Sequence, residues 1–396
     1  MPVDWSATRS QFHIPHNTTY LDGNSLGLLS RDAEHEVLRT LDEWKTQGVQ
    51  AWHSRWLSLQ SELAALLAPL LGALPDEVAL CNQTTVNLHQ LLGTFFSPTA
   101  TRNKILIDDL AFPSDSYAVQ SHLALRGLDP AKHLVRVRAR DDGLLHEQDL
   151  VAAMTDDVAL VLLPAVVYTT GQLLDLPTLA RVAHARGILI GFDLAHSAGA
   201  VPHALHHPDP NASADFAFGC TYKYLSSGPG ATAFLFVHLR HLHKPPALAG
   251  WFGADPNAQF EMPPTFPPAS TAARFAIGTP PLLSTAPLVA TLKLYNQLGI
   301  NAIRARSLEL TAHLIQQATH RLLPKGIQIA TPTNPAQRGG HISLRHPNAK
   351  QLCAQLIHRN IIPDYRNPNL IRLAPVALYN NEADVDHAVR VLSDLL

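Results

Sequence analysis

Residues 176–196 read LPTLARVAHARGILIGFDLAH. The first half is an amphipathic helical pattern stopped by Gly187, a residue favoured just past helix ends. The second half, ILIGFDLAH (188–196), is apolar with little polar alternation, so a strand here is covered on both faces. A helix feeding a doubly buried strand is the repeating unit of a mainly parallel sheet. The strand then delivers a carboxylate, Asp193, and an imidazole, His196, which packing alone does not require.

The same unit recurs from about residue 78 to 240. ILIDD (105–109) reads as a buried strand followed by the helical SYAVQSHLALRG, and HLVRVRAR (133–140) alternates as a strand does. VALVLLPAVVY (158–168), ADFAFGC (214–220) and ATAFLFV (231–237) are further strand-like runs. The expected fold is α/β, a mainly parallel sheet sandwiched by helices. Residues 245–287 are rich in Pro and Gly and predict long ordered loops. Beyond them a long helix (PLVATLKLYNQLG, then NAIRARSLELTAHLIQQATHRLL) leads to IQIATP, GGHISLRH, NAKQLCAQLIHRN and NLIRLAP, an α+β tail. The domain expectation is a large unit over 60–288 and a smaller one built from 1–59 and 289–396.

Composition narrows the class. The chain has 396 residues, 46% of them hydrophobic, and a formal net charge of −2, which excludes global disorder and offers no basic block for nucleic acid. Three dispersed cysteines (Cys81, Cys220, Cys353) without a CxxC argue against a disulfide framework or zinc ribbon and fit a reducing compartment. MPVDWSATRSQF lacks the pattern of a secretory signal. LAALLAPLLGAL (63–74) is too short to span a bilayer and is interrupted by Pro69 and Gly72. No membrane association and a cytoplasmic location are the expectation. The histidine-rich PHALHHPDP (202–210) and HLRHLH (238–243) lack acidic co-ligands at fixed spacing. They read as solvated surface histidines, with no metal site.

Ligands of such sheets sit beyond the carboxyl ends of the strands. Asp115, Thr170, Asp193, His196, Tyr222 and Lys223 all fall at such ends and should converge on one pocket. In GCTYKYLSSGPG (219–230), Lys223 stands between two tyrosines. Desolvation there favours a neutral, nucleophilic amine able to condense with a carbonyl. A lysine pointing into water is the bland alternative. Asp193 on an apolar strand is costly unless paired with a cation, such as the pyridinium nitrogen of pyridoxal phosphate; a helix N-cap is the competing role. NQTTVNLHQLL (82–92) opens a helix with Thr84 and Thr85, at once plain caps and the frame of a phosphate site. AFPSDSY (111–117) places Phe112 on a strand-to-helix turn, suited to lie on a cofactor ring.

This order of motifs resembles the fold-type-I pyridoxal-phosphate enzymes, and specifically the kynureninase family. DGNSLG (22–27), ALAGWFG (247–253), GTPP (278–281) and RNPNLIRLAPVALYN (366–380) extend the likeness over nearly the whole chain. The resemblance implies a seven-stranded-type sheet in the large domain, and hydrolysis of L-kynurenine to anthranilate and L-alanine with pyridoxal 5'-phosphate in a homodimer. Lys223 would hold the cofactor aldehyde and then shuttle protons, Tyr222 would relay protons, and Asp193 would pair with the ring nitrogen. His196 and Phe112 would lie against the ring. The Thr84 main chain, Thr85, Pro113, Ser114, Asp115 and Tyr222 would complete the phosphate and ring contacts. Trp251 and Thr279 would reach the phosphate from the neighbouring subunit, and Arg372 would clamp the substrate carboxylate.

Three positions depart from the family pattern. Pro164 stands where members often offer a hydroxyl, with Thr170 nearby as a poor substitute. Val49 and Thr279 stand where the animal enzymes carry histidine and asparagine, which implies preference for L-kynurenine over its 3-hydroxy form. A cysteine desulfurase or selenocysteine lyase is the first rival, with Cys353 as its only candidate nucleophile; a cofactor-binding module without activity is the second.

Overall fold

The computed structural model describes residues 3–396. Its central sheet has seven strands: β1 (Val78–Leu80), β2 (Lys104–Asp108), β3 (Leu134–Val137), β4 (Val158–Pro164), β5 (Leu189–Asp193), β6 (Phe216–Gly219) and β7 (Phe234–Val237). They lie in the order β1-β7-β6-β5-β4-β2-β3. Strands β2 to β6 pair in parallel, and β7 runs antiparallel to both its neighbours, β1 and β6. The molecule is the α/β fold anticipated from residues 176–196.

The pleat explains why the strands read as unbroken apolar runs. Along β4, Leu160 and Leu162 enter one apolar cluster while Val161 and Leu163 enter the other. Covering helices are α1 (Leu59–Leu71), α2 (Thr84–Phe95), α3 (Pro113–Leu125), α4 (Leu176–Ala185) and α5 (Leu282–Leu298). Leu88, Leu91 and Leu92 of α2 and Val119 and Leu123 of α3 pack on the face of Leu160. Leu63 and Leu67 of α1, Leu179 of α4 and Leu288 and Leu292 of α5 pack on the face of Val161. Each such side chain contributes about 1.5–3 kcal/mol by leaving water.

A second sheet comprises β8 (Gln328–Ile329), β9 (Ile342–Arg345), β10 (Asp364–Arg366) and β11 (Leu370–Leu373), antiparallel throughout in the order β10-β11-β9-β8. Helices α6 (Ile300–Arg321), α7 (Ala349–His358) and α8 (Glu382–Leu395) give it its own apolar cluster, which includes Leu314, Leu352, Val389 and, from the N-terminal segment, Leu21. Thr19–Tyr20 pair in parallel with Ile361–Ile362.

Three local readings change. The anticipated long helix is two helices, because Gly299 between them takes φ +81°, a left-handed conformation that glycine adopts without strain. The run VALVLLPAVVY is strand only to Pro164, after which Ala165 N–H returns to Asp193 O at 2.8 Å. Strand β10 has no apolar signature, since its residues are Asp364, Tyr365 and Arg366.

Candidate active site

The site follows from where strands end and helices begin. Strand β5 ends on Asp193, and β6 leads into Tyr222 and Lys223. Helix α2 begins at Thr84 and α3 at Pro113, with Phe112 as its N-cap residue. These ends meet around a cavity of about 230 Å³ lined by Thr84, Thr85, Phe112, Ser114 and Asp115. Asp193, His196, Tyr222 and Lys223 complete that wall. Two helix N-termini with unpaired N–H groups border it, an arrangement that favours an anion. A larger cavity of about 560 Å³, bordered by Leu173–Pro177 and Val201–Leu205, contains none of these groups.

Lys223 Nζ lies 2.8 Å from His196 Nε2 and 5.9 Å from the ring centroids of both Phe112 and Tyr222. Burial holds His196 well below the ordinary histidine range, and the cations Lys223 and Arg372 push the same way. It is therefore neutral and able to accept a hydrogen bond from the lysine. Asp193 is buried, and its Oδ1 accepts the Ala195 N–H at 2.8 Å. Burial raises its carboxyl above the usual range, against the pull of Lys223 and that N–H. Asp115 is raised well above its usual range by burial and by Asp193 and Asp108. Asp108, at the end of β2, is raised to about 7 by burial foremost. Two buried carboxyls, Asp115 and Asp193, thus share the cavity wall with Lys223, and Asp193 has no ion-pair partner of its own among the described residues. Burial also raises the Tyr222 phenol, which keeps its proton at neutral pH.

Several anticipated residues lie elsewhere. Thr170 does not join the cavity: its carbonyl accepts the Thr331 hydroxyl and its Oγ1 accepts Gln172 N–H, because the chain turns away after Pro164. Pro164 is buried in register with Asp193, and Pro113 is the first residue of α3 behind Phe112. Arg372 is fully buried behind the cavity, ion-paired to Asp364 and donating to Tyr168 O at 2.7 Å and Ser25 Oγ at 3.3 Å. Arg366 lines the cavity instead, sharing Asp364 at 3.0 Å. Asn24 and Ser25 also line it. Single-residue reasoning missed these three, although DGNSLG and RNPNLIRLAPVALYN contain them. The DGNSLG turn is clamped on the lysine loop by Gly27 N–H to Tyr222 O at 2.8 Å, and a side chain at Gly27 would strike Lys223 O. Trp251 (44% exposed), Thr279 and Val49 are on the surface, away from this chain's own cavity.

The histidine-rich stretches are not merely solvated. Glu77 is fully buried and accepts from His206 Nδ1 at 2.9 Å and Leu239 N–H at 2.8 Å, with His238 Nδ1 at 3.9 Å. Asp215, also buried, accepts from Arg240 at 2.6 Å and bonds His241 at 2.7 Å and His184 at 3.0 Å. Both histidine stretches therefore place ring nitrogens beside buried carboxyl groups contributed by other segments. Among the described residues, Glu77, His206 and His238 are near enough to suggest a metal. The two rings, however, stack with centroids 5.0 Å apart and planes 4° from parallel, so their in-plane lone pairs cannot meet on one ion.

Comparison with known proteins now bears on this geometry. A sequence profile described as the kynureninase C-terminal domain matches residues 303–392. The chain is 47% identical to a kynureninase of Geobacillus thermodenitrificans over 98% of its own length and 90% of the relative's. The chain belongs to the kynureninase family. A kynureninase of Shouchella clausii is 45% identical over the same shares. Among solved structures, a C-DES variant with glycine covalently linked to its PLP cofactor superposes with TM-score 0.85 at 19% identity, covering 98% of this chain and 99% of that one. The cysteine desulfurase of Thermococcus onnurineus gives 0.79 at 18%, covering 100% and 99%. These establish the fold-type-I architecture alone, and kynureninase relatedness does not favour a desulfurase. The cysteine such an enzyme needs is also missing: Cys353 is buried in α7, its thiol pushed up to about 12 by burial. Among the described residues no helix is long and apolar enough to cross a membrane.

Proposed function

We propose that this chain hydrolyses L-kynurenine to anthranilate and L-alanine, with pyridoxal 5'-phosphate held in the 230 Å³ cavity. The observation that carries the reading is Asp193, a buried carboxyl that shares the cavity wall with Lys223 yet lacks an ion-pair partner of its own among the described residues. A protonated pyridine nitrogen meets that deficit, so the residues suit the cofactor. Thr84, Thr85 and the start of α3 suit its phosphate, and Phe112 suits its ring face. When bound, the cofactor acts as an electron sink for a carbanion at the substrate α-carbon.

The chain's own groups do the rest. Lys223 Nζ would hold the cofactor through its aldehyde, and as a free amine it would remove and return protons at the substrate. His196, neutral at 2.8 Å from Nζ, orients the amine. Arg366 in the cavity wall and Arg372 just behind it, preset by Asp364 and Tyr168 O, together supply the positive charge for the substrate carboxylate. Tyr222 retains a proton to donate in the later steps. Water adds at the γ-carbonyl, the Cβ–Cγ bond breaks, and one water is consumed per anthranilate and alanine released. The test is anthranilate fluorescence on mixing the holoenzyme with L-kynurenine; persulfide from cysteine with no anthranilate would overturn the reading. Val49 and Thr279 support higher kcat/KM for L-kynurenine than for 3-hydroxykynurenine. Arg372→Ala is expected to lower kcat/KM about 10²-fold or more while cofactor stays bound; loss of cofactor instead would mean Arg372 serves the cofactor.

The proposal extends to a homodimer. Trp251 packs edge-on against Phe252 and Phe260 at 5.3 and 5.5 Å, and Trp251, Phe260 and Met262 form an exposed apolar patch suited to a partner subunit. Thr279 is exposed as well. If Trp251 serves the neighbouring site, mixing Lys223→Ala protomers with Trp251→Ala protomers restores activity, because one site of each hybrid is then complete. No recovery would place Trp251 in its own chain's site. The reading also includes a cofactor-binding unit over 60–288, a smaller unit from 1–59 and 289–396, and a cytoplasmic location. The separate apolar cluster around Leu344 and Leu373 supports the division, and three free, buried cysteines suit a reducing compartment. Limited proteolysis and cell fractionation test these two points. Anthranilate release places the reaction in tryptophan catabolism; preference for the hydroxylated substrate would shift it toward NAD biosynthesis.

A further inference from the structure

The turn from Asp22 to Gly27 forms one wall of the cavity. Ser25 Oγ accepts from Arg372 Nη2, and Gly27 N–H holds Tyr222 O. Between them Asn24 lies in the cavity wall at 0% exposure. Neither Asn24 Oδ1 nor Asn24 Nδ2 has a hydrogen-bond partner among the described residues. A buried carboxamide left unpaired at both atoms is costly and uncommon. Packing gives it no reason to be polar, since a leucine would fill similar space.

The occupant that satisfies it must present a donor and an acceptor side by side, because a carboxamide presents one of each. The substrate α-carboxylate offers acceptors alone and is matched by Arg366 in the wall with Arg372 behind it; the α-amine is committed to the cofactor. The remaining end of kynurenine is the 2-aminobenzoyl group, whose ring amine and γ-carbonyl oxygen lie on one edge. We propose that Asn24 reads this edge, Oδ1 accepting from the ring amino group and Nδ2 donating to the γ-carbonyl oxygen. The proposal rests on the kynurenine reading above. Negative charge develops on that oxygen as water adds, so the Nδ2 contact strengthens during reaction and enters kcat as well as KM.

The experiment compares kcat/KM of the holoenzyme on L-kynurenine and on the analogue lacking the ring amino group, for wild type, Asn24→Leu and Asn24→Ser. Wild type is expected to prefer kynurenine by about tenfold or more, because a site built to pair a substrate N–H rejects an analogue without it. In the variants that preference falls to within about threefold while the cofactor's visible spectrum is unchanged. Because the preference is a ratio within each protein, a poorly loaded Asn24→Leu does not obscure it, and Asn24→Ser supplies the same ratio with a smaller disturbance. A preference that survives in both variants, or an equal loss on both substrates, overturns the assignment of Asn24 and leaves the kynurenine reading standing. Wild type that releases no anthranilate from kynurenine overturns that reading, and the Asn24 proposal with it.

Discussion

Lys223→Ala is expected to abolish turnover, lowering kcat on the order of 10⁴-fold or more, as removal of a covalent nucleophile does elsewhere. It should also remove the visible absorbance of cofactor held on lysine. The physical case is local. Nζ points into the cavity, 2.8 Å from a histidine kept neutral by burial, with Asp193 as the nearby countercharge. Among the cavity-lining residues no second lysine stands ready to replace it. Spectrum and rate should fail together. Full activity in the variant would mean that the amine has no covalent role, and the assignment of the whole pocket would fall with it.

Asp193→Asn is expected to lower kcat/KM by about 10²–10³-fold, the scale of removing one preorganised electrostatic group from a transition state. The substitution isolates charge from shape. Asparagine keeps an oxygen for the Ala195 N–H, bonded at 2.8 Å in the native chain, so the end of β5 should keep its path. What disappears is the carboxylate that burial makes costly and that a protonated ring nitrogen would repay. The cofactor should still bind through the helix N-termini, more weakly, and its visible spectrum should shift. Unchanged turnover with an unchanged spectrum would show that Asp193 is a structural cap and not the partner of the ring.

Much of this site was legible because the responsible residues are tied to strand ends. Period and apolarity in ILIGFDLAH and its counterparts predicted parallel strands, and parallel strands place their carboxyl ends on one side. Asp115, Asp193, His196, Tyr222 and Lys223 were therefore bound to meet, and they do. Thr170 failed the same reasoning because Pro164 ends its strand early, so the intervening residues turn and direct it to Thr331.

By itself, then, the amino-acid order determined the α/β class, the strand-end cluster and the likeness to the kynureninase family. These depend on periodicities and on motifs of a few adjacent residues. Only the tertiary structure decided that Arg366 faces the cavity while Arg372 stands behind it on Asp364, and that Asn24 comes to rest unpaired in the wall. It alone attached His206 and His238 to Glu77, and His184 and His241 to Asp215. The reason is the same in each case. A side chain's partner in another segment is set by how sheets and helices pack, and local spacing carries no record of which buried charge will need it.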